Sequence, residues 1–204
     1  VTEPRRTHEV EVKFDVEVDI AVPDWTRVPG IATVGAAERR ALDAVYLDTA
    51  DAELGRSGYA LRRRTGGPDA GWHVKGPRVG AGREELGWPL GDGGIAEVPA
   101  PVRAAIAHIT DEPLSPLARI RNDRIAYDLL DTEGGVVAEF VDDHVTARDE
   151  RAGVDRAWRE WEIELGPAAP EDHEPLFAAI GEIARAAGAS DASSDSKLAR
   201  ALGL

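Results

Sequence analysis

The chain has no cysteine in its 204 residues, which excludes disulfides, thiol catalysis and zinc–thiolate sites. Methionine is also absent, even at position 1, and nothing functional follows from that. No apolar run approaches the roughly 18 residues that a membrane helix needs. Val1–His8 carries charge with no apolar stretch behind it, so no signal peptide is expected. There is no Gly-x-x-x-x-Gly-Lys phosphate loop and no Gly-x-Ser-x-Gly elbow, which argues against an ordinary nucleotide-binding fold and an elbow-type serine hydrolase. Basic residues are in the minority, 24 Lys+Arg against 38 Asp+Glu, for a formal charge of −14. Broad nucleic-acid binding needs a basic surface, so neither nucleic acid nor membrane is an expected partner. A cytoplasmic location is the default expectation.

The composition that remains is that of a globular protein: 43% hydrophobic and 30% charged residues, long enough for one domain over 1–204. The few basic residues concentrate between Arg62 and Arg83 and between Arg119 and Arg124, a pattern suited to a small anion held in a sheltered site. Glu9, Glu11, Lys13, Asp15, Glu17 and Asp19 alternate with Val10, Val12, Phe14, Val16, Val18 and Ile20. Period-two alternation of this length predicts a long strand with one charged and one apolar face. Further strands are expected at Ala44–Thr49, Tyr59–Thr65, Trp72–Lys75, Arg83–Pro89, Leu117–Asp131, Val136–Arg148 and Ala157–Leu165. A short turn or helix is expected after the second strand. Helical spacing marks Val102–His108, Pro175–Ala187 and Ser196–Leu202. Gly66-Gly67-Pro68-Asp69-Ala70-Gly71 and Glu133-Gly134-Gly135 are hairpin signals. Strands joined by such short turns pair antiparallel. The fold class read from this is α+β, mainly antiparallel β: a closed eight-stranded barrel with flanking helices, since closure removes the edge strands. The five tryptophans, at 25, 72, 88, 158 and 161, are expected on the outer barrel face beneath the helices.

The charged strand faces carry the candidate chemistry. Glu9 and Glu11 lie on one face about 7 Å apart and repel unless a cation or donors intervene. Glu160, Glu162 and Glu164 repeat the pattern opposite Trp161, Ile163 and Leu165. Oxygen-only ligands suit Mg2+ or Mn2+. Arg62 with Arg64, His73 with Lys75, Arg83 with Glu85 and Arg119 with Arg121 form pairs that each share a face. If all these faces point into a barrel, the interior is a tunnel of both signs. A polyphosphate with divalent metals would balance both sets, and the planar fork of arginine matches phosphate oxygens in pairs. The five histidines lack zinc-ligand spacing and read as surface or satisfied residues.

His8-Glu9-Val10-Glu11-Val12-Lys13 resembles the Glu-x-Glu-x-Lys signature of the CYTH domain, the triphosphate tunnel metalloenzyme family. Tyr46-Leu47-Asp48-Thr49, Leu61-Arg62-Arg63-Arg64, Trp72-His73-Val74-Lys75, Arg119-Ile120-Arg121, Glu162-Ile163-Glu164-Leu165 and Ser196-Lys197-Leu198-Ala199-Arg200-Ala201-Leu202 follow in the family's order. The resemblance implies an eight-stranded antiparallel tunnel for triphosphate-containing substrates. It implies metal at Glu9, Glu11, Glu162 and Glu164, helped by Glu139 or Asp142. Alternation groups Glu139 with Val141 and Asp143, the family pattern could favour Asp142, and the choice stays open. It further implies phosphate contacts from Lys13, Arg62, Arg64, Lys75, Arg119 and Arg121, with Arg83 joining them, and Lys197 closing one tunnel end. Glu9, Glu11 and Lys13 form the expected catalytic group. The expected reaction is metal-assisted hydrolysis, with inorganic triphosphate first and nucleoside or thiamine triphosphate as other substrates. The alternatives are a non-catalytic polyphosphate-binding module, associated with a helical CHAD domain, and an adenylate cyclase.

Overall fold

Charge at every second position keeps the first segment extended, because only a period-two backbone separates its carboxylates and valines onto opposite faces. The computed structural model describes residues 3–80 and 82–204, and this segment forms β1 (Arg5–Val16). There follow a 3-10 turn (Trp25–Arg27), β2 (Thr33–Val34), β3 (Glu38–Asp48), α1 (Glu53–Arg56), β4 (Ala60–Thr65), β5 (Gly71–Val79), β6 (Gly82–Trp88), α2 (Ala100–Ile106), β7 (Ser115–Leu130), β8 (Val136–Asp149), β9 (Val154–Leu165), α3 (Glu174–Ala187), β10 (Ser190–Asp191) and α4 (Lys197–Leu202). Eight strands run in the order β1-β6-β5-β4-β3-β7-β8-β9, every pair antiparallel, and β9 returns to β1. The sheet is therefore a closed eight-stranded barrel, as expected, with β10 added to β1 and β2 to β7. Among the described residues no helix is long and apolar enough to cross a membrane.

The main apolar core lies outside the barrel wall. Phe14, Phe140, Trp161 and Ile163 project outward from β1, β8 and β9 and are closed over by Trp25, Leu176 and Ile180. Trp72, Val74 and Trp88 meet Val102 and Ile106 of α2 on the other side. A third cluster is inside: Ala44, Tyr46, Ala118, Ile120, Val145 and Ala147 face the lumen and pack against Leu198, Ala201 and Leu202 of α4. Trp158 belongs to this inner group, with the Arg200 guanidinium 4.9 Å from its ring centroid. Four tryptophans thus lie on the outer face as expected, and Trp158 does not.

Several boundaries differ from those read off the sequence. The alternation runs to Ile20, yet β1 stops at Val16. Arg159 Nη1 donates to the carbonyls of Glu17, Val18 and Ile20 at 3.0, 3.3 and 2.6 Å, and it gathers that segment into a turn. β3 starts at Glu38, six residues before the expected Ala44, because its early residues show no apolar alternation. In α4, Ser196 caps the first turn by accepting from Ala199 N–H.

Phe140 is fully buried and touches Trp25, Tyr127 and Trp161, with ring centroids 5.0, 5.8 and 5.9 Å away. Phe140→Ala is expected to lower unfolding stability by about 3–5 kcal/mol through lost transfer energy and the cavity left behind, measured as a fall in urea midpoint at unchanged m-value.

Candidate functional site

The barrel encloses a cavity of about 810 Å³. Ten Lys and Arg and eight Asp and Glu line it, so its wall leans positive in a chain of net charge −14. The acid excess is carried elsewhere, and the cavity is the place where an anion would be held.

Register fixes which side chains look inward. Glu11 lies opposite Glu164, Lys13 opposite Glu162, Glu9 opposite Arg83 and Tyr46 opposite Arg62. Of the residues expected at the site, Glu9, Glu11, Lys13, Arg62, Arg64, Lys75, Arg83, Glu139, Glu162, Glu164 and Lys197 all line the cavity.

Three do not, and these are corrections. Arg119 and Arg121 sit on the outer face of β7 with 42% and 60% of their side chains exposed, both pairing with Asp43 of β3. On β7 the lumen is faced by Ile120, Asn122 and Arg124. At this end the lumen is filled by α4, so the inward residues are mostly apolar and the charged ones turn out. Asp142 also faces outward, opposite Trp161, and is paired with Arg159 at 2.8 and 2.9 Å. Glu139 and Asp143 take the inward positions on β8. The sequence reading missed Arg40, hidden in a Glu-Arg-Arg run without alternation, and Arg124, which the outward choice of Arg119 and Arg121 removed from view.

The inward charges form three groups. In the first, Glu85 is the hub. Arg62 Nη2 lies 3.1 Å and Lys75 Nζ 3.3 Å from its Oε2, His73 Nδ1 lies 2.9 Å from its Oε1, and Lys75 also meets Glu9 at 2.5 Å. Burial alone would push the Glu85 carboxyl up, but Arg62, the His73 hydrogen bond and Lys75 together pull it well below the carboxylate range. His73 is the satisfied histidine that was expected: buried, with Nε2 2.9 Å from the Asp69 carbonyl.

The second group is a cage. Asp143, Glu160 and Glu162 bring three carboxylate oxygens within 4.8 Å of one another. The Lys197 ammonium sits among them, at 2.9, 2.5 and 2.8 Å. Arg124 adds contacts to Asp143 at 2.7 Å and to Glu162 at 3.0 Å, and Lys13 pairs with Glu162 and, at 3.2 Å, with Glu11. Arg40 closes on Glu139 at 3.0 and 3.1 Å. This cage has the ligand set of a metal site, but the protein's own cations already fill it.

The third group is unbalanced. Glu164 makes no hydrogen bond or ion pair among the described residues, and burial, then Glu9 and Glu11, push its carboxyl up to about 7. A carboxyl without a cation suits a hard divalent ion, and Glu164, with Glu9 and Glu11 nearby, would hold one, although Glu9 already pairs with Lys75 and Glu11 with Lys13. The converse deficit is present too. Arg40, Arg62 and Arg64 each keep a buried Nε without an acceptor. Arg83, opposite Glu9, donates among the described residues only to the carbonyls of Gly76 and Gly58, at 2.5 and 3.2 Å.

Lys197→Met should leave Asp143, Glu160 and Glu162 short of a cation. Breaking a buried pair costs roughly 3–5 kcal/mol, so amide exchange in α4 is expected to accelerate at least tenfold at pH 8. Carboxylates robbed of a cation have folded pKa values raised above their unfolded ones. Such groups destabilise above the unfolded value, so the loss should shrink as pH falls toward 5. Hydrogen exchange at the two pH values checks both points.

The model of the CYTH domain matches residues 7–199. Two curated proteins of Mycobacterium tuberculosis, uncharacterized proteins MT2285 (strain CDC 1551 / Oshkosh) and Rv2226 (strain ATCC 25618 / H37Rv), are 36% identical over 210 residues. The match takes in 98% of this chain, which spans only 41% of their length. Among solved structures, a candidate adenylate cyclase from Bacillus halodurans superposes with TM-score 0.66 at 19% identity, over 96% of this chain and 97% of the other. A candidate adenylyl cyclase from Hippeastrum, described as having a dominant triphosphatase activity, gives TM-score 0.55 at 16% identity over 96% and 95%. At these identities the structures show the shared tunnel fold.

Proposed function

The chain belongs to the CYTH domain family, and from that premise we propose that its tunnel binds the triphosphate unit of a small substrate together with a divalent cation and hydrolyses the terminal phosphoanhydride bond. The observation that carries this reading is the double deficit in one cavity. Arg40, Arg62 and Arg64 each keep a buried Nε without an acceptor, while the carboxyl of Glu164 pairs with no cation among the described residues. A polyanion and an oxygen-loving cation relieve both at once. The Hippeastrum relative, with its dominant triphosphatase activity, supports hydrolysis over cyclisation.

Arg40, Arg62, Arg64, Lys75, Arg83 and Arg124 project from five different strands and α4 adds Lys197, so a phosphate chain would be gripped from several sides. Such gripping fixes the reacting phosphorus and offsets charge on the transferred group, which is most of what phosphoryl transfer asks of a protein. Lys13 stands where Glu11 and Glu162 meet, placed to bridge the acidic and phosphate-binding halves. Mg2+ or Mn2+, held by Glu9, Glu11 and Glu164 with Glu139 and Glu162 nearby, would supply charge neutralisation at the phosphate oxygens and a polarised water. Anion and cation stabilise one another in this scheme, so each raises the affinity for the other.

Residues 1–204 are read as one such tunnel unit. The greater length of the relatives is in keeping with association with a further domain, for which the CHAD type is the expectation.

Orthophosphate release from inorganic triphosphate, ATP and thiamine triphosphate, with Mg2+ or Mn2+, tests the proposal. Glu11→Ala and Arg124→Ala should each lower kcat/KM by about two orders of magnitude or more, the scale of a lost transition-state contact. Arg121→Ala should stay within about twofold, as befits an exposed outward residue. Tripolyphosphate binding without turnover would instead favour the binding module, and cyclic AMP with pyrophosphate would favour the cyclase. Calorimetric affinity for tripolyphosphate should fall on chelation of the metal; unchanged affinity in EDTA would refute the coupling.

A further inference from the structure

Most cations of the tunnel are paired with carboxylates on the barrel wall itself. Arg62 and Lys75 share Glu85, Arg124 holds Asp143 and Glu162, and Lys13 holds Glu11 and Glu162. Arg64 is different. It is buried on β4, and the one carboxylate it pairs with among the described residues is Asp69. That residue belongs to the β4–β5 hairpin and not to a strand.

The hairpin is built to deliver this carboxylate. Gly66 and Gly67 both take positive φ, 79° and 74°, a conformation that favours glycine. A Cβ at Gly66 would overlap the Ala41 carbonyl, and one at Gly67 would come within 2.7 Å of Leu42 Cδ2. The turn therefore lies flat on β3 and brings Pro68 and Asp69 to the cavity lining. His73 then anchors the Asp69 main chain, with Nε2 2.9 Å from its carbonyl, and Glu85 holds the other ring nitrogen at 2.9 Å. Asp69 keeps about a third of its side chain exposed, while that of Arg64 is 9% exposed. A partly solvated carboxylate on a loop can leave its partner at far lower cost than a wall residue, because water receives it.

We propose that Asp69 is an internal stand-in for a substrate phosphate: it neutralises Arg64 in the free protein and is displaced when a phosphate group reaches that guanidinium. The inference rests on the reading of the tunnel as a phosphate site and adds to it a residue that sets affinity by competing with the ligand. Burial, followed by the nearby Arg62, pulls the Arg64 guanidinium down to about 9, so this side chain needs an anion in either state. Its buried Nε is still without an acceptor while Asp69 is present, which leaves room for a ligand with more oxygens than one carboxylate.

The consequence runs against the usual result of mutating a buried-site residue. Asp69→Asn keeps the main-chain carbonyl for His73 and removes only the competing charge. Binding of inorganic tripolyphosphate in the presence of Mg2+, followed by calorimetry, should tighten about tenfold, the scale of one charge-assisted contact no longer lost on binding. Arg64→Gln should weaken binding, and Arg64→Gln/Asp69→Asn should match Arg64→Gln alone, since the gain depends on a competition that no longer exists. Asp69→Asn binding as wild type or more weakly, while Arg64→Gln still weakens binding, would overturn the stand-in and leave the tunnel reading intact. An equal gain from Asp69→Asn in the Arg64→Gln background would also overturn it, because the effect would then be general electrostatics. No binding by wild type or any variant, each folded by circular dichroism, would remove the tunnel reading and the stand-in together.

Discussion

Neutralisation of charge inside a closed wall is the constraint on which the rest of this structure depends. An isolated ion taken out of water costs several kcal/mol even after relaxation, and the lumen holds Glu85, Asp143, Glu160 and Glu162 all buried. The barrel can close only because each finds a cation from another element: another strand for Glu85, Asp143 and Glu162, and α4 for Glu160. The most demanding requirement, three carboxylates at one place, is met from far along the chain, by Lys197 on α4. The end of the chain is thereby fastened into the barrel. Arg200 repeats the fastening through Asp15 and the Trp158 ring, while Leu198 and Leu202 fill the apolar end of the lumen. A helix of only six residues has little stability of its own; its place is set by these partners.

The same neutralisation makes the interior responsive to ligands. A tunnel of bare arginines would bind phosphate tightly but would not hold itself together; a tunnel of fully matched pairs would be stable and inert. Here the matching is nearly complete and fails at a few places: among the described residues Glu164 has no cation, Arg83 has only carbonyls, and Arg64 has a loop carboxylate. Folding stability and ligand demand thus reside in different side chains of one wall. The wall pairs carry the first, and the mismatches carry the second.

Much of this was legible in the sequence, and the limits have physical causes. The eight strands, their antiparallel order and the closure follow from alternation and turn chemistry, which are local. Glu9, Glu11, Lys13, Glu162 and Glu164 are found because their opposite faces are bulky and apolar, which leaves no doubt about which side is covered by helices. β7 lacks that clue. Its two faces, Arg119-Arg121-Asp123 and Ile120-Asn122-Arg124, both carry charge, and the basic pair and the family resemblance favour the first. The lumen at that level is occupied by α4, a fact of tertiary packing that no period-two pattern contains. Asp142 fails for a different reason: the resemblance offered it as the alternative to Glu139, against the alternation that pairs Glu139 with Asp143, and Arg159 serves it on the outer side. β3 was shortened because its inward residues pass from Arg40 to Leu42 to Ala44, charged to apolar within one strand, as the lining changes along the tunnel.

The contrast between the inside and the outside of the barrel also bears on how a ligand would arrive. A chain of charge −14 repels a bare polyanion at long range, and the repulsion is felt within about 10 Å of the surface at 0.1 M salt. Attraction begins only where Arg56, Arg78 and Arg83 join the lining. A triphosphate that already carries a divalent cation presents less negative charge to the exterior and, on the proposed function, brings with it an ion for the unpaired Glu164 carboxyl. On the proposed function, entry as a metal complex answers both the kinetic barrier outside and the charge mismatch within. On that function, an acidic surface around a positive-leaning tunnel would favour complexed over uncomplexed polyanions.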